Sequence, residues 1–358
     1  MMRKALFILP LLSILLACSS EEPAPVKADS AYRTEITTGM QTSIQAEIDA
    51  LVVSATAIQA AAPEGPWSVA NDAKAIADMK AAYLKARIAY ERIEGAVAPL
   101  FGDLDTSMDQ RYDAFLQNEI PNAEGDANLF DDKGVTGMHA IERVLWAQEI
   151  PPSVIAYEKE ISKDGKNLYV AARFPLTAPE ALEFKTKLCQ KFIDDAKSLQ
   201  KQWKSVALDI DAAYVGLGDL MAEQAEKVDK AATGAEESRY SQKTMADLRG
   251  NLEGTQKIFA IFKPFLVSKD GGAAVATEIE NGFAKLKATY DGIPGDAIPA
   301  PPATWQAEKR EKQSAADLAT PFGKLFLAVT EAVDAEKEGA LAHEMAHAGE
   351  KMGLKAAK

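Results

Sequence analysis

Cysteine is nearly missing from this 358-residue chain, which holds only Cys18 and Cys189. With Cys18 assigned below to processing, Cys189 is the only thiol left and no internal disulfide can form. Histidine is also sparse, at three residues, and only His139 falls inside a strongly periodic segment. Alternating β-rich runs of useful length are lacking, which argues against a sheet protein. Basic charge is in deficit, with 40 Lys and Arg against 53 Asp and Glu and a net charge of -13. That balance argues against nucleic acid, whose phosphates need a basic face. Beyond the leader no apolar run approaches the ~20 residues of a membrane span. No Gly-x-Ser-x-Gly motif is present and Cys189 has no nearby His, so nucleophilic hydrolysis finds no support.

What the chain has is a processing signal followed by helix-forming sequence. Arg3 and Lys4 precede an apolar core at residues 5–16, and Leu15-Leu16-Ala17-Cys18 reads as a bacterial lipoprotein cleavage box. Residues 1–17 are then a signal peptide, Cys18 carries the lipid, and 18–30 form a polar, proline-bearing tether. Ser19 after Cys18 points to the outer membrane in a Gram-negative cell, with the protein facing the periplasm.

Composition, at 47% hydrophobic and 26% charged residues, fits a globular chain rich in helix formers. Apolar residues at steps of three and four predict helices over 31–62 and 69–98, with Pro63 and Pro99 as stops. A further helix follows Gly102, another carries His139 and ends at Pro151, and 153–177 reads as a covering loop or interdomain excursion in which 166–170 is a brief strand or irregular. Periodicity resumes over 179–232 with a break near 206–211, then over 245–264, 273–290 and 315–340. About eight long helices in two sets of about four predict an all-α fold of two bundles, at 31–177 and 178–342, with a tail at 343–358. Gly137-x-His139-x-x-Glu142 is faintly echoed by Arg249-x-Asn251-x-x-Gly254, as a diverged duplication would leave it.

His139 and Glu142 are i,i+3 neighbours, so imidazole and carboxylate leave one helix face and can converge on an ion. Other acidic pairs recur at one-turn spacing: Glu91 with Glu94, Asp109 with Asp113, and Glu223 with Glu226. Gly137-x-His139-x-x-Glu142 continuing into Leu145-Trp146, with Tyr90-Glu91-Arg92-Ile93-Glu94, Phe101-Gly102-Asp103-Leu104-Asp105 followed by Asp109 and Arg111, Arg239-Tyr240-Ser241 and Asn251-Leu252-Glu253-Gly254, resembles the imelysin-like superfamily, in its EfeO-like branch of bacterial iron-uptake proteins. The likeness runs from about residue 30 to 340. It implies two four-helix bundles with a metal cleft between them. By position it points to His139 and Glu142 as ligands, then Glu91, Asp109 and Glu223, then Glu94 and Asp105. One imidazole among carboxylates suits iron, and also zinc or manganese. The resemblance further implies an inner-membrane iron permease and a haem peroxidase as partners. The cupredoxin domain of longer members does not precede the first helix here.

Two other functions compete. His343-Glu344-Met345-Ala346-His347 matches the zincin pattern His-Glu-x-x-His, which would make a metallopeptidase, although only eleven residues follow for a downstream ligand. The third reading is a ligand-binding envelope lipoprotein whose carboxylates are only surface.

Overall fold

The computed structural model describes residues 27–117, 135–162, 173–307, 309 and 312–355. The leader, Cys18, most of the tether, and the expected strand at 166–170 lie outside these residues. Among the described residues every regular element is a helix, so the fold is all-α.

The first helix, α1 (Asp29–Ala61), buries Ile36, Met40, Ile44, Ile48, Leu51, Ala55 and Ile58, the stripe its periodicity predicts. It packs on α2 (Ala73–Glu91), which stops at Glu91 rather than continuing to residue 98. Two single-turn helices follow, α3 (Glu94–Val97) and α4 (Gly102–Asp105), then a π-helical turn (Thr106–Gln110) leading into α5 (Arg111–Leu116). Next come α6 (Gly137–Leu145) and α7 (Pro152–Ser162). The segment read as a loop from 153 therefore opens with a helix, because Pro152 occupies a first turn where its missing N–H costs nothing. After α8 (Ala178–Glu183) a second π-helical turn (Phe184–Cys189) joins α9 (Gln190–Trp203), and α10 (Ile210–Lys230) starts after the expected break.

The longest later helix, α11 (Thr244–Val267), runs through Pro264 instead of ending there. Proline removes one helical bond in the last turn, and burial of Phe265 and Leu266 offsets it. It is followed by α12 (Gly272–Asp291), α13 (Ala315–Leu318), α14 (Pro321–Ala332) and α15 (Leu341–Met352). The single helix predicted for 315–340 is thus divided. Thr320 caps a new start by accepting from the Gly323 N–H at 3.0 Å, and Pro321 sits at its first position. The expected tail from residue 343 is instead α15, which buries Met345, Ala348 and Met352.

Helix α1 packs against α2, α9 and α11, while α10 and α12 pack with α14 and α15. Helix α11 belongs to both groups: it touches α1 and α2, and also α10, α12 and α15. The buried apolar residues accordingly form one cluster from Ile36 to Leu354. Helix α9 follows the sequence division at 177/178 yet packs on α1.

Candidate metal centre

Two close backbone contacts build the site. At the start of α6, Gly137 has φ +86°, and a Cβ there would lie 2.6 Å from the Met108 carbonyl oxygen. Only glycine meets both conditions, and its presence sets the π-helical turn carrying Asp109 against the helix turn carrying His139. On the other side, a Cβ on Gly254 of α11 would lie 1.9 Å from the Arg92 carbonyl oxygen. This contact is where α2 ends, and it lays Glu91 and Glu94 against α11 and α10.

His139 is buried at 4% exposure with a carboxylate at each ring nitrogen. Glu142 Oε2 lies 3.3 Å from Nδ1, while Asp109 Oδ1 and Glu237 Oε1 lie 3.5 and 3.8 Å from Nε2. Burial alone would lower the imidazole pKa, but Asp109 and Glu142 raise it above the ordinary value. The other oxygen of Glu142 accepts the Ser241 N–H at 2.9 Å. Glu142 thereby orients the ring from Nδ1 and leaves Nε2 facing Asp109 and Glu237.

Asp109, His139 and Glu237 offer ligand atoms that all lie within 4.8 Å of one another. Metal–donor bonds of about 2.1 Å put donors at most about 4.2 Å apart, so an ion would need to draw these three in by roughly half an ångström. They face an open cavity of about 240 Å³ that Glu94, Asp113, Glu223, Glu236 and Lys227 also line. Unit charges 4 Å apart interact by about 4 kcal/mol near a protein surface, so carboxylates gathered this closely need cations. Arg87 supplies one: it is fully buried and reaches Asp109, Glu91 and Glu237, the last two at 2.6 Å. Lys227 supplies another, 3.5 Å from Glu94, 3.7 Å from Glu237 and 3.8 Å from Glu91. Burial would raise the Glu237 pKa, but Lys227, Arg87 and His139 hold it well below the usual carboxylate range.

The structure brings His139, Glu142, Asp109, Glu91 and Glu94 to one site, with differing access. Glu91 is fully buried, and its Oε2 accepts from Asn251 Nδ2 at 2.7 Å, the same amide that donates to Glu94 at 3.0 Å. Asn251 and Gly254, the residues that echo the His139 motif, thus position the acidic end of α2. Glu223 is exposed on α10 and stands at the cavity rim, not in the close cluster. Asp105 is turned towards Tyr90, whose hydroxyl donates to it, and Gln110, which donates at 3.0 Å. Burial pushes the Asp105 carboxyl up to about 7.

Glu237 is the residue that sequence reasoning misses. It stands in the turn between α10 and α11, where no helical period marks a face; the acidic pair Glu236-Glu237 just ahead of Arg239-Tyr240-Ser241 was the available signal. Three carboxylates hold this turn in place: Asp113 binds Arg239, Glu158 Oε1 accepts from Tyr240 at 2.8 Å, and Glu142 accepts from Ser241.

The His-Glu-x-x-His match lies on α15, away from this cavity. Its Glu344 is buried and accepts the Gly339 N–H at 2.9 Å, closing the turn ahead of the helix. His343 Nδ1 meets the Ala335 carbonyl oxygen at 2.9 Å. Among the described residues no cluster of three ligands includes either histidine.

The chain is 26% identical over 218 residues to the "Iron uptake system component EfeM" of Pseudomonas syringae pv. syringae (strain B728a). It is 30% identical over 217 residues to the "Efem/EfeO family lipoprotein" of Staphylococcus aureus (strain MSSA476), and equally to that of strain NCTC 8325 / PS 47. Each match covers 60% of this chain and 59% of the relative. The imelysin (peptidase M75) family model matches residues 36–325, a span that contains both close contacts and every residue of the cavity, and the chain belongs to that family.

Proposed function

We propose that this protein is a non-enzymatic metal-binding component of an iron-uptake system, with iron as its cargo. The observation that carries this reading is the convergence of Asp109, His139 and Glu237 within 4.8 Å in a cavity lined by surplus carboxylates. Hard oxygens with one imidazole suit iron, and an oxygen-rich set stabilises the ferric charge; zinc and manganese fit the same donors. The names of the relatives point the same way.

In this mechanism Asp109, His139 through Nε2, and Glu237 hold the ion. Glu142 orients His139, while Glu91 and Glu94, fixed by Asn251, hold the compensating charges of Arg87 and Lys227. The ion needs Nε2 unprotonated, so acid competes with metal for His139. Glu223 at the rim adds negative field rather than a bond to the ion, and Asp105 is held aside by Tyr90 and Gln110. Anchoring through Cys18 keeps the protein at the envelope membrane, facing the periplasm and at the outer membrane of a Gram-negative host. The recipient is an inner-membrane iron permease, with a haem peroxidase of the same system as a further partner.

The test is elemental analysis of residues 19–358 after competition among iron, zinc and manganese. Wild type should carry one equivalent of metal at this site, with iron retained. His139→Ala should lose it with helical content unchanged by circular dichroism. Metal retained stoichiometrically by His139→Ala would sink the proposed site.

A further inference from the structure

This inference rests on the metal-binding reading and concerns the cation already seated behind the ligands. Arg87 meets four carboxylates, and they fall into two pairs. Asp109, at Nη1, and Glu237, 2.6 Å from Nη2, belong to the three-residue group that could hold an ion. Glu91, 2.6 Å from Nη2, and Asp247, 3.6 Å from Nε, stand outside that group and are buried to 0% and 1% exposure.

Within the rear pair Glu91 is already paired, and Asp247 is under-satisfied. Neither Asp247 oxygen meets a donor in hydrogen-bond geometry, although the Ser238 hydroxyl lies nearby. The Arg87 Nε–H is without an aligned partner as well, while Glu91 Oε1 already stands 2.6 Å from Nη2 as an ion pair. Buried polar groups are rarely left in this condition, and at 3.6 Å the Arg87–Asp247 contact is just too long for a hydrogen bond.

We propose that Arg87 is a tethered counter-cation with two seats: on Asp109 and Glu237 when the site lacks metal, and withdrawn onto Glu91 and Asp247 when an ion takes those two ligands. An incoming cation competes for the same oxygens and repels the guanidinium. Arginine does not surrender its proton, so it must keep carboxylate partners. Glu91 and Asp247 provide them, and a shift of under about 1 Å makes the missing Nε–H to Asp247 bond. For release the guanidinium returns, so that the protein competes with its own cargo for Asp109 and Glu237. Arg87 and Asp247 are positioning residues here, and neither touches the ion.

The test follows the Arg87 Nε–Hε resonance in ¹⁵N-arginine-labelled protein during titration with Zn²⁺, a diamagnetic probe. Calorimetric Zn²⁺ titrations of wild type, Asp247→Asn and Asp247→Glu run beside it. In wild type the resonance should move as one equivalent binds. Asp247→Asn should bind Zn²⁺ about tenfold to a hundredfold more weakly with the Arg87 resonance unmoved, and Asp247→Glu should recover part of the affinity. A wild-type resonance that ignores stoichiometric Zn²⁺ overturns the two-seat proposal without requiring any variant to fold. Asp247→Asn affinity within about twofold of wild type overturns it too. Failure of wild type to bind Zn²⁺ at all would instead remove the metal-binding reading on which the proposal rests.

Discussion

Asp105 shows how a carboxylate close to Asp109, His139 and Glu237 is kept out of their cluster. The Tyr90 hydroxyl and the Gln110 amide occupy its oxygens, and burial raises its pKa to about 7. In the unfolded chain the same group ionises near 3.8, so the folded state retains a proton that the unfolded state releases. Between about pH 4 and 7 this residue therefore subtracts from stability as pH rises, by up to about 1.4 kcal/mol per pH unit, and its effect levels off above pH 7. Asp105→Asn cannot ionise and should gain on wild type across that window. Urea unfolding at pH 5, 6, 7 and 8 checks this: a constant difference between the two proteins at all four values would show that Asp105 titrates normally. At this scale the sequence was informative where chemistry repeats on a helix. His139, Glu142, Glu91 and Glu94 stand out through one-turn spacing. Glu237 does not, because its place is fixed by side chains of α5, α6 and α7 that bind the turn around it.

At the scale of elements, periodicity located the helices and glycine located the crossings. The stripes of α1 and α12 were legible because solvent lies on one side of each. The limits of α2 and α11 were not, because tertiary contact decides both: α2 ends where the Arg92 carbonyl meets Gly254, and α11 outlasts Pro264 because its last turn is buried. The Gly254 contact makes a prediction. A Cβ placed 1.9 Å from the Arg92 oxygen forces α2 and α11 apart, so Gly254→Ala should cost about 1–3 kcal/mol. Because Asn251 on the same helix holds Glu91 and Glu94, the variant should also bind metal more weakly in its folded fraction. Thermal unfolding paired with calorimetric titration separates the two effects, and unchanged affinity in a destabilised protein would detach the crossing from the site. The His-Glu-x-x-His match illustrates the opposite case. A pattern with a known chemical use is employed on α15 to close a turn through Glu344 and Gly339.

At the scale of the molecule, the site joins elements distant in sequence: Arg87 on α2, Asp109 in a π-helical turn, His139 on α6 and Glu237 ahead of α11. An ion held by Asp109, His139 and Glu237, as proposed, would tie the folded state together and have no equivalent in the unfolded chain. Metal at a hundred times its dissociation constant should add about 2.7 kcal/mol, a rise of about 4 °C in melting temperature. Chelator should reverse the gain in wild type and have no effect on His139→Ala; equal shifts in both would place the stabilising ion elsewhere. The all-α class was legible from composition and period. The sharing of α11 was not, since a helix packed on two neighbouring groups looks in sequence like any other buried helix.

That sharing bears on inheritance. With one helix serving both groups, neither half carries a complete interior of its own, and a chimera joined at 177/178 would combine an α1 surface from one parent with α9 and α11 from another. The two halves of such a protein must change together, so substitutions facing α11 are expected to accumulate as matched sets, and the segment free to vary alone is the outer face of each helix.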